Sequence, residues 1–188
     1  MTNRAEKEAI ARYGASLVES GQTVFIDVGS TTSALANALS PDLRGVVVVT
    51  NGLNIALSLE RAPGISVIVT GGTLRSLQHS LVAPMATLLL SKLQADVAFI
   101  GCNGVDQERG FTNANIAEAE IKQAMLDFSD YSIFLADHDK IGTVASAFVA
   151  DIDKADLLIT DSGADPAFLE SFNEGGLEIK VVEPTARA

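Results

Sequence analysis

The sequence predicts an α/β fold, a mostly parallel, twisted sheet with helices on both faces. Three observations carry this. Short β-rich runs recur along the chain: TVFID (23–27), VVVVT (46–50), SVIVT (66–70), DVAFI (96–100), YSIFLA (131–136), DLLIT (156–160) and EIKVV (178–182). Most are apolar nearly throughout, as strands buried on both faces are, and helical patterns at 31–39, 53–60, 82–93 and 115–128 separate several of them. The strand ends form the third observation: DVGSTT, TNG, TGGTLR, GCNGVD, ADHDKIG and TDSG close six successive runs. In open α/β sheets ligands bind beyond such ends, where glycines admit close backbone approach, so six strand ends define an expected pocket rim.

In chain order, Arg4 to Glu19 reads as a helix, with Ala5, Ala9, Ala11, Leu17 and Val18 among charges and Gly21 as its stop. It is a docking or connecting helix, so residues 1–20 are set apart from a single domain over 21–188. VASAFV (144–149) fits a short edge strand or part of a small cap, and both readings stay open. No repeat, charge block or low-complexity linker divides the chain, and Pro184 to Ala188 are expected to fray.

Composition narrows the function. With 188 residues, 47% hydrophobic and 20% charged, the chain suits one compact domain. No apolar run approaches the ~18 residues of a membrane span, and charges run through residues 1–20 where a signal peptide would be apolar. A soluble, cytoplasmic protein with no membrane partner is expected. The single cysteine, Cys102, excludes an internal disulfide, and no Cys/His spacing suggests a metal. A net charge of −11 argues against this chain gripping DNA by itself. A small anion remains possible, since a few N–H groups and one or two cations outweigh a diffuse field.

Asp27-Val28-Gly29-Ser30-Thr31-Thr32 is a strand-to-helix turn that gathers free N–H groups and the positive end of a helix dipole, which suits a phosphate. Alternatively Ser30 or Thr31 only caps the helix. The turn is neither a P-loop nor a dinucleotide fingerprint, so no cofactor is expected. Thr50-Asn51-Gly52 and Gly71-Gly72-Thr73-Leu74-Arg75 are either plain turns or further rim, with Asn51 reading a hydroxyl and Arg75 forking onto an anion. Asn115 and Glu118 are spaced as a capping box, and Glu118 and Lys122 as an exposed helical pair. The functional reading instead turns Glu118 into the crevice. Lys140 stands where one ammonium would neutralise a phosphate, and the lone His79 and His138 assemble no triad.

Taken together, FIDVGSTTSALANAL, VVTNGLNIAL, VIVTGGTLR, DVAFIGCNGVDQERGFTNANIAEAEIK and IFLADHDKIG resemble the C-terminal effector-sensing domain of DeoR-family transcriptional repressors, in order from about residue 4 to 162. EKEAIARYGASLVESGQTVFID resembles the start of such domains. The resemblance implies a fold like that of ribose-5-phosphate isomerase, glucosamine-6-phosphate deaminase and the CoA transferases. It also implies sensing of a phosphorylated sugar or related metabolite in a homo-oligomer, and DNA binding only through an N-terminal winged helix-turn-helix that this sequence does not include. The family's phosphate turn falls on Gly29, Ser30, Thr31 and Thr32, with Asp27 at the strand end. Thr50, Asn51, Gly71, Gly72, Gly104, Glu118 and Lys140 match its other rim motifs. Two positions depart from the pattern: Ala83 replaces a common glycine, and Asp139 replaces a usual serine and puts a carboxylate beside Lys140.

The expectation is therefore a regulatory sensor that is not an enzyme. Its rival is a sugar-phosphate isomerase or deaminase using Asp106, Glu118 and Asp137 as acid and base.

Overall fold

The computed structural model describes residues 2–184. Its elements in chain order are α1 (Arg4–Ala15), β1 (Thr23–Ile26), α2 (Ser30–Ala38), β2 (Val46–Thr50), α3 (Leu53–Leu59), β3 (Ile65–Val69), β4 (Thr73–Arg75), β5 (Ser80–Val82), α4 (Met85–Leu90), β6 (Val97–Gly101), β7 (Gly104–Asp106), β8 (Gly110–Asn113), α5 (Ile116–Asp127), β9 (Ser132–Leu135), β10 (Ala147–Ala150), β11 (Leu157–Asp161), α6 (Pro166–Glu174) and β12 (Glu178–Val182). Short 3-10 turns occupy His138–Lys140 and Ile152–Lys154.

The seven β-rich runs become one seven-stranded sheet in the order β12-β11-β9-β6-β1-β2-β3, with every pairing parallel. Alternate residues of each strand feed two separate cores. Val24, Ile26, Val48, Phe99, Ile133 and Leu135 pack with Ile10, Leu35 and Ile55 of α1, α2 and α3. Phe25, Ala98, Ile100, Phe134 and Leu158 pack on the opposite side with α4, α5 and Phe172 of α6. Full burial of side chains of this size contributes about 1.5–3 kcal/mol each, which is why near-continuous apolar strands end in the middle of such a sandwich.

The second face carries more than helices. β7, β8 and β10 form a small antiparallel sheet, whose Phe111 ring stacks on Phe134 of the large sheet at a centroid distance of 3.6 Å. VASAFV contributes its edge strand, β10. β4 and β5 make a separate hairpin. The helical pattern expected from 82 therefore starts later, at Met85, because Ser80–Val82 is strand.

α1 stops at Ala15, short of the expected Glu19, and docks on the domain, with Ala9, Ile10, Ala11 and Ala15 buried. A Cβ on Gly14 would lie 2.8 Å from Leu35, so that glycine lets α1 approach α2 closely. Of the expected C-terminal fraying, residues 185–188 lie outside the described residues.

Candidate functional site

The strand order reverses at β1. The chain runs outward through β2 and β3, then returns to lay β6 on the other side of β1 and continues outward through β9 and β11. The loops after β1 and β6 thus leave in opposite directions and open a crevice between them, the usual ligand position in such sheets. A cleft of about 460 Å³ lies there. It is walled by residues 28–33 after β1, 101–103 after β6 and 135–137 after β9, with Lys140 and, from α1, Lys7.

One wall is the start of α2. Gly29 occupies the cap position, and no side chain caps the helix, which corrects the assignment of Ser30 or Thr31 as caps. Thr32 and Ser33 hydroxyls donate instead to the Gly29 carbonyl, at 3.1 and 2.6 Å. The first backbone N–H groups of a helix have no intrahelical acceptor, so this turn presents donors and the positive dipole end to the cleft. Asn51 braces it from behind, its Oδ1 accepting from Val28 N at 2.9 Å.

The floor is charged and buried. Asp27 is fully buried and ion-paired with Lys122, and its Oδ2 also accepts from Gly101 N at 3.3 Å. Burial pushes the Asp27 carboxyl up from its ordinary value, with Lys122 pulling the other way. Among the described residues, Asp27 Oδ1 has no hydrogen-bond partner. Burial likewise pushes the thiol of Cys102, on the cleft wall, up to about 12.

Glu118 lines the cleft from the first turn of α5. Asn115 caps that helix, accepting from Glu118 N at 3.1 Å, so one half of the capping box is present. The Glu118 carboxylate does not complete the box. It pairs with Arg75 and accepts from Ser80 Oγ at 3.0 Å and Asn113 Nδ2 at 3.4 Å. The exposed Glu118–Lys122 pair is thereby corrected: each residue has a different partner, because α5 lies on the sheet with its Lys122 face inward.

Lys140 lines the same cleft, half-buried, with no ion pair among the described residues. Asp139 does not neutralise it. Its carboxylate accepts from Asn3 Nδ2 at 2.6 Å and lies 3.5 Å from His138 Nε2.

The structure thus brings Gly29, Ser30, Thr31, Thr32, Glu118 and Lys140 to one cleft, with Asp27 beneath it. It does not bring the remaining sequence-predicted residues there. Thr50 Oγ1 accepts from Gly52 N at 3.0 Å, and Asn51 is buried and occupied as a brace. Gly71 and Gly72 follow β3 at the sheet's far edge, where a Cβ on Gly72 would meet the Val82 carbonyl at 2.2 Å. Gly104 admits the Thr143 carbonyl, at 2.3 Å from its own would-be Cβ. Arg75 is held by Glu118 outside the cleft lining. Ala83, between β5 and α4, and Asp106, whose Oδ1 accepts from Glu108 N and Arg109 N in a turn, also lie outside it. Of the six strand ends, those of β1, β6 and β9 wall the cleft; β2 and β3 lie beyond β1, away from β6, and β11 lies beyond β9. Sequence reasoning missed Lys7, Lys122 as a buried partner, and the amides of Asn54, Gln78, Asn103 and Asn113 around the cleft.

Residues 2–162 match the DeoR C terminal sensor domain. The chain belongs to the DeoR family. It is 36% identical over 181 residues to the HTH-type transcriptional regulator GolR of Listeria innocua serovar 6a, covering 96% of this chain and 71% of that protein. It is 29% identical over 182 residues to the glycerol-3-phosphate regulon repressor of Escherichia coli K12, again covering 96% and 71%. In fold, the DeoR domain is similar to ribose 5-phosphate isomerase A of Methanocaldococcus jannaschii, with a TM-score of 0.54 and 15% identity over 74% of this chain and 55% of that one. The isomerase-like fold expected from the resemblance is therefore present, in a ligand-sensing regulatory domain of the DeoR family. No helix among its described residues is long and apolar enough to cross a membrane.

Proposed function

We propose that this DeoR domain senses a phosphorylated sugar or a related small phosphorylated metabolite in the cleft, and performs no catalysis. The observation that carries the reading is that a helix start without a side-chain cap, residues 29–32, and the Lys140 ammonium, which has no ion pair among the described residues, line the same cleft. The helix start supplies donors for phosphate oxygens, and Lys140 supplies the cation that a P-loop would carry within the turn. Glu118 supplies an acceptor for sugar hydroxyls, while Asp27 lies buried beneath the cleft.

The name of the glycerol-3-phosphate regulon repressor agrees with a phosphorylated effector. In this reading the domain works in the cytoplasm as a homo-oligomer. Its ligand controls DNA binding by a winged helix-turn-helix outside this sequence, by binding one arrangement of the protein better than another. Against an isomerase, Asp106 lies away from the cleft, its Oδ1 accepting from Glu108 N and Arg109 N in a turn.

Thermal-shift titration against paired sugars with and without phosphate tests the proposal. A cognate ligand at about a hundred times its Kd should raise Tm by roughly 5–10 °C, and its unphosphorylated partner by far less. A well-folded sample that no phosphorylated compound stabilises would contradict it, as would turnover of ribose 5-phosphate that Glu118→Gln abolishes.

A further inference from the structure

Lys7 reaches the cleft from an element that no strand-end argument includes. It lies in the second turn of α1, its side chain is 15% exposed, and it faces the same space as Lys140 and the α2 turn. Its ammonium donates to the Thr2 carbonyl at 2.9 Å and stands 3.6 Å from Asp137 Oδ2, beyond hydrogen-bond range. Asp137 is 2% exposed, and its other oxygen accepts from Asn3 Nδ2 at 3.0 Å and Asp139 N at 3.2 Å.

Asn3 supplies a second, independent observation. It occupies the cap position of α1, where an asparagine oxygen ordinarily accepts from the helix. Among the described residues no side chain caps α1, and the Asn3 amide instead donates to Asp137 and Asp139. The start of α1 is thus held by Asp137, on the cleft wall, and by Asp139 rather than by its own cap, while Ile10, Ala11 and Ala15 fix the rest of the helix in the core. Both tethers end on the 137–140 segment that carries Lys140.

We propose that Lys7 contacts the anionic group of the cleft's occupant, taking that anion in exchange for Asp137, and that this exchange changes how residues 2–7 are held. The proposal rests on the reading of the cleft as a phosphate site. A phosphate offers more charge and more acceptor oxygens than one carboxylate 3.6 Å away, and Lys7 keeps a flexible four-carbon stem with which to follow it. Cleft occupancy is then felt at the N-terminal end of α1 without movement of the sheet.

The test uses the whole chain, with inorganic phosphate and ribose 5-phosphate as probes. Calorimetric titration compares wild type, Lys140→Ala and Lys7→Met, and hydrogen exchange follows residues 2–9 with and without probe. Lys7→Met keeps the aliphatic stem, and matching circular dichroism establishes its fold. Expected are probe binding by wild type, a loss of at least about tenfold in Lys7→Met, and a probe-dependent change in exchange at residues 2–9 that the variant lacks. Wild-type affinity in Lys7→Met, or unchanged exchange at residues 2–9 on binding, overturns the role of Lys7. If Lys140→Ala weakens binding and Lys7→Met does not, only this inference falls. If neither probe binds wild type, the phosphate reading of the cleft falls and this inference with it.

Discussion

Lys122 on α5 and Asp27 at the end of β1 form an ion pair beneath the cleft, with side chains only 4% and 0% exposed. Two charges at that depth cost several kcal/mol each to desolvate, and their attraction offsets this only while both are present. The pair therefore ties the α5 face of the sheet to the strand from which the α2 turn departs.

Removing one partner should be severe. Lys122→Met leaves Asp27 buried without its cation and should cost about 3–5 kcal/mol in urea unfolding at pH 8. Asp27 is already pushed upward by burial, and losing Lys122 raises it further. The folded state of the variant then holds a proton that the unfolded state releases, so the penalty should shrink as pH falls toward 5. Asp27→Asn combined with Lys122→Met should recover part of the loss. A single variant as stable as wild type at pH 8 would refute the pair's structural role.

The β4–β5 hairpin is fastened to α5 through Arg75 and Glu118, whose side chains are 29% and 13% exposed. At that exposure Arg75→Ala should cost no more than about 1 kcal/mol globally, yet it removes a direct tether of the hairpin. Hydrogen exchange should therefore quicken at residues 73–82 far more than in β1 or β6. Uniform acceleration across the sheet would contradict this.

His138 gives the stability a pH dependence of opposite sign from a paired carboxylate. Burial disfavours its charged ring, but the hydrogen bond and charge of Asp161, with Asp139 and Asp137 nearby, outweigh that and raise its pKa above the ordinary value. A raised histidine stabilises the fold fully below its unfolded pKa of about 6.5 and loses that contribution as pH rises through the folded value. Wild type should exceed His138→Gln in stability at pH 5.5 by more than at pH 8.5. An equal difference at both would show that the Asp161 contact is not charge-assisted.

Legibility in the sequence divides along physical lines. The seven sheet strands could be read because residues buried on both faces leave continuous runs such as VVVVT. β4, β5, β7 and β8 are only three or four residues long, too short to carry a strand period, and only tertiary pairing makes them strands. Within the cleft, Gly29 to Thr32 could be read because helix-start chemistry is local. Lys122 could not: the four-residue spacing from Glu118 fits a solvated pair equally well, and which face of α5 meets the sheet is a long-range fact. Lys7 was hidden for the same reason, as one charge among several in RAEKEAIAR. Asn51, Gly71 and Gly72 read as rim residues because a chain shows strand ends in succession but not where the strand order reverses.

A crystal structure with a stabilising phosphorylated sugar bound measures directly whether a phosphate sits on the α2 turn with Lys140 balancing its charge. Expected are phosphate oxygens within hydrogen-bond distance of the backbone N–H groups of residues 30–32, with the Lys140 ammonium on the same group and the sugar hydroxyls toward Glu118. A ligand bound elsewhere, or one that lays its sugar end on residues 29–32 and its phosphate away from Lys140, would contradict it.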